Sequence, residues 1–333
     1  MTSSNSEPPR LGEFALIAKL FAPLAAKDEG AFGLKDDAAR LRLPPGDELV
    51  VTVDALVEGV HFLRDDPPRL IAKKALRVNL SDLAAKGAHA KNYLLALCLP
   101  DWIDNAWLTD FAAGLDEDQA RYGVSLLGGD TTSTPGPLTL SVTALGSIPS
   151  GRMLRRKGAR PGDLVFVSGT IGDAGAGLEL LRGKASNLPA DARDYLIRRY
   201  RLPEPRLSLG RGLIGIASAA LDVSDGLVAD LGHIAEVSDV RISIDVRLVP
   251  LSGELVSLWG SATPAVLRAA TAGDDYELAF TAPPAAQSAI ADAARAAGIA
   301  VKQIGRVEQG GGVELLDEAG KGIAVDRPGF THF

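Results

Sequence analysis

The sequence lacks features that several large classes of protein require. Among 333 residues there is a single cysteine, Cys98, so an intramolecular disulfide and a cysteine-based zinc cluster are both excluded. No apolar run approaches the roughly 18 residues that a membrane-spanning helix needs. The segment MTSSNSEPPR has no apolar core like that of a secretory signal peptide, and we expect residues 1–10 to form a flexible tail. These absences favour a cytoplasmic protein with no membrane partner.

Positive charge is scarce as well. The chain carries 35 lysine and arginine residues against 42 aspartate and glutamate residues, for a formal net charge of −7. Binding of nucleic acid needs clustered cations that neutralise phosphates, so we expect no nucleic-acid partner. An acidic protein that holds an anionic ligand needs a local source of positive charge, and metal ions would supply it. The densest basic segment, residues 151–159, reads most simply as a solvated loop.

The best-known motifs for phosphate binding and nucleophilic catalysis are missing too. The sequence contains no G-x-x-x-x-G-K-[ST] loop, no H-E-x-x-H and no G-x-S-x-G, and the protein-kinase signatures are absent. What the chain does have is glycine, with 36 residues. So many glycines indicate many tight turns and favour an α/β protein with ligand-binding loops over a helical bundle.

Apolar periodicity predicts strands and helices in both halves of the chain, which indicates the α/β (α+β) class. The length suggests about two domains at roughly 150 residues each. We therefore expect an N-terminal domain at 11–150 and a C-terminal domain at 151–333. Strands are predicted at 49–54, 93–99, 124–130, 138–148, 164–169, 219–227, 242–246, 274–281 and 299–307. Helices are predicted at 11–26, from Asp66–Pro68 to Gly87, and at 105–121, 176–183, 227–237 and 284–297.

The first predicted helix and the first predicted strand each have a defined apolar face. In the strand, alternation puts Thr52 and Asp54 on one face and Val51 and Val53 on the other. Two polar side chains therefore share a face near the strand's end. In the helix, the residues at helical spacing are Leu11, Phe14, Ala15, Ala18 and Phe21.

Aspartates recur at the ends of predicted strands and in glycine turns. Each one alone is explained by the preference of aspartate for turns and helix caps. Asp82 stands out because it lies in an apolar helical stretch, where an unpaired carboxylate is costly; the alternative is an ion pair with Lys86 at i+4. As a set without histidine or cysteine partners, these carboxylates suit Mg²⁺ or Ca²⁺, and several Mg²⁺ ions suit phosphoryl transfer. The set is Asp36, Asp37, Asp54, Asp82, Asp130, Asp222, Asp225, Asp274 and Asp275.

A glycine-rich turn at 168–178, SGTIGDAGAGL, follows a predicted strand and opens a helix. Backbone N–H groups at such a position can face an anion. The turn lacks the full G-x-G-x-x-G pattern, however, and close packing of strand against helix through glycine is the favoured interpretation.

The motifs along the chain together resemble the thiamine-monophosphate kinase family. They span residues 11–333 in the family's order, which makes the resemblance specific. They are GEF-x-LIA (12–18), DDAA (36–39), T-x-D-x-LVEGVHF (52–62), KAL-x-VNLSDLAA-x-GA (74–88), GGDTT (128–132), SGT-x-GDAGAGL (168–178), D-x-SDGL-x-DLGHI (222–234), DDYEL (274–278) and GFTHF (329–333).

The resemblance implies the reaction and the assembly. Members transfer the γ-phosphoryl group of ATP directly to thiamine monophosphate, giving thiamine diphosphate and ADP, and they belong to the aminoimidazole ribonucleotide synthetase-like superfamily. It implies an N-terminal domain that binds ATP and Mg²⁺ and pairs in a homodimer, followed by a C-terminal α/β domain.

The resemblance also implies site residues, carried over position by position. The positions that resemble Mg²⁺ ligands are Asp37, Thr52, Val53, Asp54, Asp82, Asp130, Asp222 and Asp225. Those that resemble ATP contacts are Gly129, Asp130, Arg156 and Ser224, and those that match thiamine-phosphate positions are His61, Asp274 and Phe330. Among the metal positions, the catalytic ones are Asp54, Asp82 and Asp130. Without the resemblance, His61 reads as a strand-end histidine and Phe330 as a packed tail residue.

The chain departs from the family pattern at three positions. Lys35 replaces a glycine of G-x-G-D-D, Val53 replaces a frequent threonine, and Asp274 replaces a glutamate one methylene longer. Three other functions stay open at this point. They are an ATP-dependent synthetase or kinase of the same superfamily with another acceptor, a dinucleotide-binding oxidoreductase that uses the 168–178 turn, and an inactive nucleotide-binding module.

Overall fold

The computed structural model describes residues 10–184 and 186–331, so the predicted flexible tail lies outside the described residues except for Arg10. The chain divides into two compact units. The first contains the described residues up to Pro45 together with Val51–Asn79 and Ala90–Gly146, and the second contains Gly46–Val50, Leu80–His89 and the described residues from Ser147 onward. The domain boundary near residue 150 stays a prediction. None of the described helices is both long and apolar enough to cross a bilayer.

A four-stranded sheet with the strand order β1-β4-β2-β3 is formed in the first half of the chain. Its strands are β1 (Asp47–Val57), β2 (His89–Leu99), β3 (Ser125–Ser133) and β4 (Thr139–Pro149). The long helices here are α3 (Pro68–Ala85) and α4 (Asn105–Tyr122). Strands β2 and β3 are parallel and pair Leu95 with Gly129. All four strands and both helices were predicted, with ends that differ by a few residues.

The N-terminal helix differs from its prediction in the face that it buries. It consists of α1 (Glu13–Leu16), a π-helical turn (Ile17–Phe21) and α2 (Ala22–Ala25). Phe14, predicted on the apolar face, is 82% exposed, whereas Leu16, Phe21 and Leu24 are buried. The hydrogen bonds of a π turn connect residues five apart, whereas those of an α-helix connect residues four apart. The π turn is therefore wider, and the apolar stripe shifts away from strict α-helical spacing.

The second unit is built on a seven-stranded mixed sheet with the order β11-β10-β7-β9-β5-β8-β6. Its strands are β5 (Leu164–Ser168), β6 (Ala219–Val223), β7 (Arg241–Asp245), β8 (Glu277–Ala282), β9 (Val301–Glu308), β10 (Gly312–Leu316) and β11 (Gly322–Ile323). Its helices are α5 (Asp173–Leu181), α6 (Ala190–Arg201), α7 (Leu207–Gly212), α8 (Leu227–Ser238), α9 (Gly253–Trp259), α10 (Thr263–Ala270) and α11 (Gln287–Ala297). The two sheets with their helices confirm the α/β (α+β) class.

The core of the second unit includes an interior strand of this sheet, β8, and the strand at its end, β6. Every residue of β6 and β8 is buried, as expected of strands covered on both faces. Apolar side chains of β5, β6 and β7 join those of α5 and α8 in one hydrophobic cluster. At roughly 25 cal/mol per Å² of apolar surface removed from water, this cluster is the main source of stability for the unit. The loops at the ends of these strands are therefore carried on a rigid frame.

Two strands in this unit are shorter than predicted, β6 at its C-terminal end and β8 at its N-terminal end. β6 ends at Val223, so residues 224–226 form a turn rather than the end of a strand. β8 begins at Glu277, so Asp274 and Asp275 precede it. Asp274 and Tyr276 have φ values of 70° and 52°, a left-handed conformation that a strand residue does not adopt. Both corrections fall where candidate site residues lie.

Candidate active site

A cavity of about 310 Å³ in the first unit brings together three of the predicted site residues. Asp37, Gly129 and Asp130 line it, with Asp36 beside them. The remaining wall is largely apolar and includes Phe21, Ile17, Leu95, Leu97 and Leu127. A concave site with an apolar wall and a few polar groups is the usual form of a small-molecule pocket. Its carboxylates give it a place for a cation.

The loop that carries Asp37 is held by its neighbours rather than by glycine at residue 35. Asp28 accepts hydrogen bonds from Gly30 N and Asn92 Nδ2, both at 2.7 Å. The left-handed residues are Phe32, Gly33 and Leu34, with φ values of 49°, 64° and 57°. Lys35 has φ −114°, which any residue adopts. The departure at Lys35 therefore adds no backbone strain to the turn.

Gly129 is required by close approach of two strands. A Cβ atom at this position would lie 1.9 Å from the carbonyl oxygen of Leu95 on β2. Only glycine lets β3 keep its pairing with β2 here. Asp130 follows directly and is exposed, so its carboxylate is available to a ligand in the cavity.

The candidate residues on β1 lie elsewhere on the sheet. β1 and β3 are the two edge strands, and Thr52, Val53 and Asp54 do not line the cavity. The predicted alternation is confirmed, because Val53 is 60% exposed while Thr52 and Asp54 are half-buried. Asp54 N donates to Asn79 Oδ1 at 3.0 Å. Within this unit, the structure thus separates the β1 residues from Asp37 and Asp130.

His61 has the hydrogen bonds of a strand-end histidine. Its Nδ1 accepts from Val57 N at 3.0 Å, and its carbonyl oxygen accepts from Lys74 Nζ at 2.9 Å. An accepting Nδ1 places the ring proton on Nε2. A part in substrate binding would therefore fall to Nε2–H as a donor.

In the second unit, two candidate metal ligands lie within electrostatic reach of each other. Asp222 is buried and accepts from Ser81 Oγ at 2.7 Å. Burial, and next the charge of Asp82, raise the pKa of Asp222 to about 8. Lys86 Nζ donates to Ala220 O at 3.2 Å, and burial lowers the pKa of Lys86. Asp222 thus resists ionisation beside Asp82, and a Mg²⁺ ion bound to these oxygen donors would favour its charged form, so the pair fits Mg²⁺.

Lys86, the predicted i+4 partner of Asp82, interacts with several charges, and Asp82 is one of them. The charges of Asp222, Arg156 and Asp82 all act on Lys86, and that of Asp82 is the smallest of the three effects. Arg156 lies in an exposed loop, as the solvated-loop interpretation of residues 151–159 expects. Across residues 10–184 and 186–331, no three His, Cys, Asp or Glu side chains form a ready-made metal-binding group.

The turn between β6 and α8 carries Ser224 and Asp225, both half-buried. One carboxylate oxygen of Asp230 accepts hydrogen bonds from the backbone N–H groups of Ser224, Asp225 and Gly226, at 3.0, 3.0 and 3.1 Å. Asp230 is buried, and burial raises its pKa to about 7. The N–H groups of this turn are therefore already bound, and its ligand-binding groups are the side chains of Ser224 and Asp225.

Asp274 and Phe330 are attached to this same turn through their backbones. Asp274 N donates to Ser224 O at 2.8 Å, and Phe330 N donates to Asp225 O at 2.9 Å. Phe330 is 48% exposed, so it is not a residue packed in the core. The structure thus brings Ser224, Asp225, Asp274 and Phe330 together in one small region of the second unit.

The glycine-rich turn before α5 is closed to an anion. Asp275 accepts hydrogen bonds from Gly172 N at 2.6 Å and from Ala174 N at 3.3 Å. A Cβ atom on Gly172 would lie 2.5 Å from Ala269 Cβ, so the glycine serves close packing. Because a carboxylate of the chain already occupies the helix N-terminus, the anion-binding interpretation of 168–178 is wrong and the packing interpretation is confirmed.

Asp275 belongs to a buried ionic network that sequence reasoning did not find. Glu277 is fully buried and accepts from Arg199 Nη2 at 3.0 Å, Arg206 Nε at 2.7 Å and Ser168 Oγ at 2.5 Å. Arg199 Nη2 also reaches Asp275 O at 3.3 Å. Burial raises the pKa of Asp275 well above its usual value. The network joins α6, β5 and the start of β8.

The two buried carboxylates differ in how well a sequence signals them. Asp230 lies in the first turn of α8, four residues after Gly226, where a carboxylate commonly satisfies free N–H groups. That position could have been recognised. Asp275 is about a hundred residues from the N–H groups that it binds. A local sequence pattern cannot predict a hydrogen bond between residues so far apart in the chain.

Comparison with known proteins gives the family. Residues 35–148 match the AIR synthase related protein, N-terminal domain, and residues 160–318 match its C-terminal domain. The chain is 44% identical to a thiamine-monophosphate kinase of Caulobacter vibrioides over 96% of this chain and 90% of that protein. It is similar to the crystal structure of thiamine-monophosphate kinase from Stenotrophomonas maltophilia, with TM-score 0.83 and 41% identity over 92% of this chain and 96% of that one.

A second solved structure, AaThiL complexed with AMPPCP and TMP, has TM-score 0.77 and 34% identity over 98% of this chain and 100% of that chain. These similarities extend over nearly the full length of this chain and of the proteins compared with it, and they agree with the order of motifs in the sequence. The chain belongs to the thiamine-monophosphate kinase family of AIR synthase related proteins.

Proposed function

We propose that the protein transfers the γ-phosphoryl group of ATP to thiamine monophosphate and releases thiamine diphosphate and ADP. The observation that carries this proposal is the near-full-length similarity to thiamine-monophosphate kinases. The complex of a relative with AMPPCP and TMP supports the pair of substrates. The closed turn at 168–178 removes the support for a dinucleotide-binding oxidoreductase.

We assign ATP to Gly129, Asp130, Arg156 and Ser224. The cavity of the first unit supports this assignment for Gly129 and Asp130, because its apolar wall suits a base and its carboxylates suit a metal-bound phosphate. We assign thiamine monophosphate to His61, Asp274 and Phe330. An exposed aromatic ring such as Phe330 offers a stacking surface to a cationic heterocycle, and the carboxylate of Asp274 offers it a counter-charge.

The carboxylates supply the electrostatics of the proposed reaction. The residues that would hold Mg²⁺ are Asp37, Thr52, Val53, Asp54, Asp82, Asp130, Asp222 and Asp225, with Asp54, Asp82 and Asp130 nearest the chemistry. Bound Mg²⁺ would neutralise charge on the phosphates. The acceptor is a phosphate that is already ionised, so no side chain has to remove a proton from it. The protein's own task is to orient the two substrates for direct in-line transfer.

The proposal also covers the oligomeric state of the enzyme and its location in the cell. We propose a homodimer, which is supported by the exposed apolar face of β1, where Leu49, Val51 and Val53 are each about half-exposed. We also propose a cytoplasmic location, because the reaction consumes ATP.

The proposal is tested by measuring ADP formation from ATP with Mg²⁺, with and without thiamine monophosphate, and by identifying the thiamine product. Thiamine diphosphate formed in equal amount to ADP is the expected result. ADP release that depends on another phosphate acceptor would move the protein to a different reaction of its superfamily. Chelation of divalent cations with EDTA should stop turnover, and added Mg²⁺ should restore it.

Asp82→Asn tests the metal assignment, and we expect it to abolish turnover while the fold stays intact. The matched control is Asp292→Asn, which changes an exposed carboxylate on α11 that pairs with Arg295. Circular dichroism and a thermal melt monitor folding in both variants. Near-normal activity in folded Asp82→Asn would contradict a reaction that depends on several Mg²⁺ ions.

A further inference from the structure

The turn at residues 224–226 is a junction for four candidate ligand residues. Ser224 and Asp225 belong to the turn itself. Asp274 and Phe330 come from two other segments, and each donates its backbone N–H to a carbonyl of the turn, at 2.8 and 2.9 Å. Tyr276 N adds a third bond of this kind, to Val223 O at 2.7 Å. The position of the turn therefore fixes the positions of the two incoming segments.

Both incoming segments approach so closely that only glycine fits at the contact. A Cβ atom on Gly273 would lie 2.7 Å from Ser224 O, and one on Gly329 would lie 2.4 Å from Asp225 O. Ala229 N also donates to Pro328 O at 3.2 Å. Contacts this tight transmit a displacement of the turn rather than absorb it.

Asp230 fixes the turn in a way that differs from ordinary helix capping. A capping side chain normally precedes the helix and accepts from N–H groups of its first turn. Asp230 instead lies inside α8 and accepts from Ser224, Asp225 and Gly226, which precede that helix. Its carboxylate thus folds the loop back onto the helix. If this carboxylate were removed, three N–H groups of the loop would lose their hydrogen bonds to it.

We propose that Asp230 is a positioning residue that sets the Ser224–Gly226 turn and, through it, keeps Ser224 and Asp225 in register with Asp274 and Phe330. The inference rests on the proposed function for what these four residues bind. It predicts that one side chain, which is assigned to neither substrate, affects the binding of ATP and of thiamine monophosphate together.

Amide hydrogen exchange at single-residue resolution, without substrates, tests the structural part. In Asp230→Ala we expect the amides of residues 224–226, Asp274 and Phe330 all to exchange about ten-fold faster. Asp230 binds the first three N–H groups directly, and carbonyls of the turn that it holds accept from Asp274 N and Phe330 N. The matched control is Asp163→Ala, which removes another buried carboxylate that accepts from a loop N–H, Arg160 N at 3.0 Å. It should leave the exchange rates of those amides at their wild-type values.

Steady-state kinetics test the functional part. We expect Asp230→Ala to raise KM about ten-fold for both ATP and thiamine monophosphate, about 1.4 kcal/mol each. Asp230→Asn keeps an acceptor oxygen and should recover most of the loss, whereas Asp230→Leu, which fills the space without an acceptor, should not. Asp163→Ala should leave both KM values unchanged.

Hydrogen exchange tests the positioning role of Asp230 even if no enzymatic activity can be measured. Faster exchange at residues 224–226 with unchanged exchange at Asp274 and Phe330 would overturn it, and so would unchanged exchange at all of them. If Asp230→Ala does not fold, Asp230→Asn carries the test, with a joint increase of about two-fold expected from the weaker neutral acceptor. If the wild-type protein makes no thiamine diphosphate, the proposed function is refuted. The hydrogen-exchange measurement still tests the positioning role of Asp230, because it requires no substrate.

Discussion

Two turns of the second unit are built alike and yet differ in what they leave available. Each follows a strand of the same sheet, contains glycine, opens a helix, and has its N–H groups bound by a buried aspartate. In the turn before α5, Thr170 is half-buried, but its hydroxyl donates to the buried Asp173 at 2.5 Å, and the backbone of Asp275 is tied to an arginine network. The turn before α8 leaves Ser224 and Asp225 half-exposed.

The difference between the turns before α5 and α8 indicates where an anion or metal site can form. A glycine turn at a helix N-terminus attracts anions only when its N–H groups are free, and here both sets are occupied. What distinguishes the turn before α8 is that its side chains remain accessible after its backbone has been satisfied. We therefore expect changes in the first turn to reduce stability and changes in the second to reduce activity.

The largest effect is expected from Glu277→Gln, which breaks the network behind the first turn. Arg199 and Arg206 would lose the buried carboxylate that both contact. Leaving a buried charge without its partner costs about 3–5 kcal/mol, to be measured as the free energy of unfolding in urea. Glu314→Gln is the control, because that exposed carboxylate lies 3.8 Å from Arg241 and such pairs contribute about 0–1 kcal/mol. Equal losses in the two variants would refute the structural role of the network.

Gly172→Ala should cost about 3 kcal/mol of unfolding free energy, from a left-handed φ and from overpacking. Its φ is 89°, and the added Cβ would lie 2.5 Å from Ala269 Cβ. Gly183→Ala separates the two causes, since Gly183 has φ 86° and open space around it. We expect that control to lose only about 1 kcal/mol. A loss of the same size in both variants would show that packing at Gly172 contributes nothing.

In the second turn, Asp225→Asn should lower kcat about 100-fold, or about 2.7 kcal/mol. Its backbone N–H still donates to Asp230, so the free energy of unfolding should change by only about 0.5 kcal/mol. The two quantities are measured by steady-state kinetics and urea unfolding on the same preparation. A variant that is destabilised and fully active would reverse the proposed difference between the turns.

Local patterns predicted the parts of the molecule whose causes are local. Alternation on β1 correctly assigned the faces of Thr52 and Val53, and apolar periodicity correctly located most strands and the long helices. The π turn at Ile17–Phe21 was not foreseen, because it changes the helical period without any sequence signal, and so Phe14 was misplaced. Helix α6 was missed because it buries few apolar residues.

The candidate site shows the same division. The aspartates were recognised as a set because their types and motifs are visible in the sequence. The role of Asp275 was not, since its N–H partners lie about a hundred residues away. The left-handed backbone of Asp274 and Tyr276 has the same origin, because bonds to Ser224 and Val223 hold it. Such long-range constraints arise only once the chain has folded.

The smallest effect is expected at a third turn, which tests whether burial makes an aspartate important. Asp245 accepts from Arg247 N at 2.9 Å at a comparatively exposed site, and Arg247 lowers the pKa of Asp245 from its ordinary value of 3.8. A lowered pKa means that the carboxylate stabilises the fold at neutral pH and loses that effect as the pH falls below about 4. Asp245→Asn should therefore cost about 0.5 kcal/mol at pH 7 and almost nothing at pH 2.5, measured by urea unfolding at both values. A cost at pH 7 as large as that of Glu277→Gln would mean that the number of hydrogen bonds, rather than burial, decides what such a carboxylate contributes.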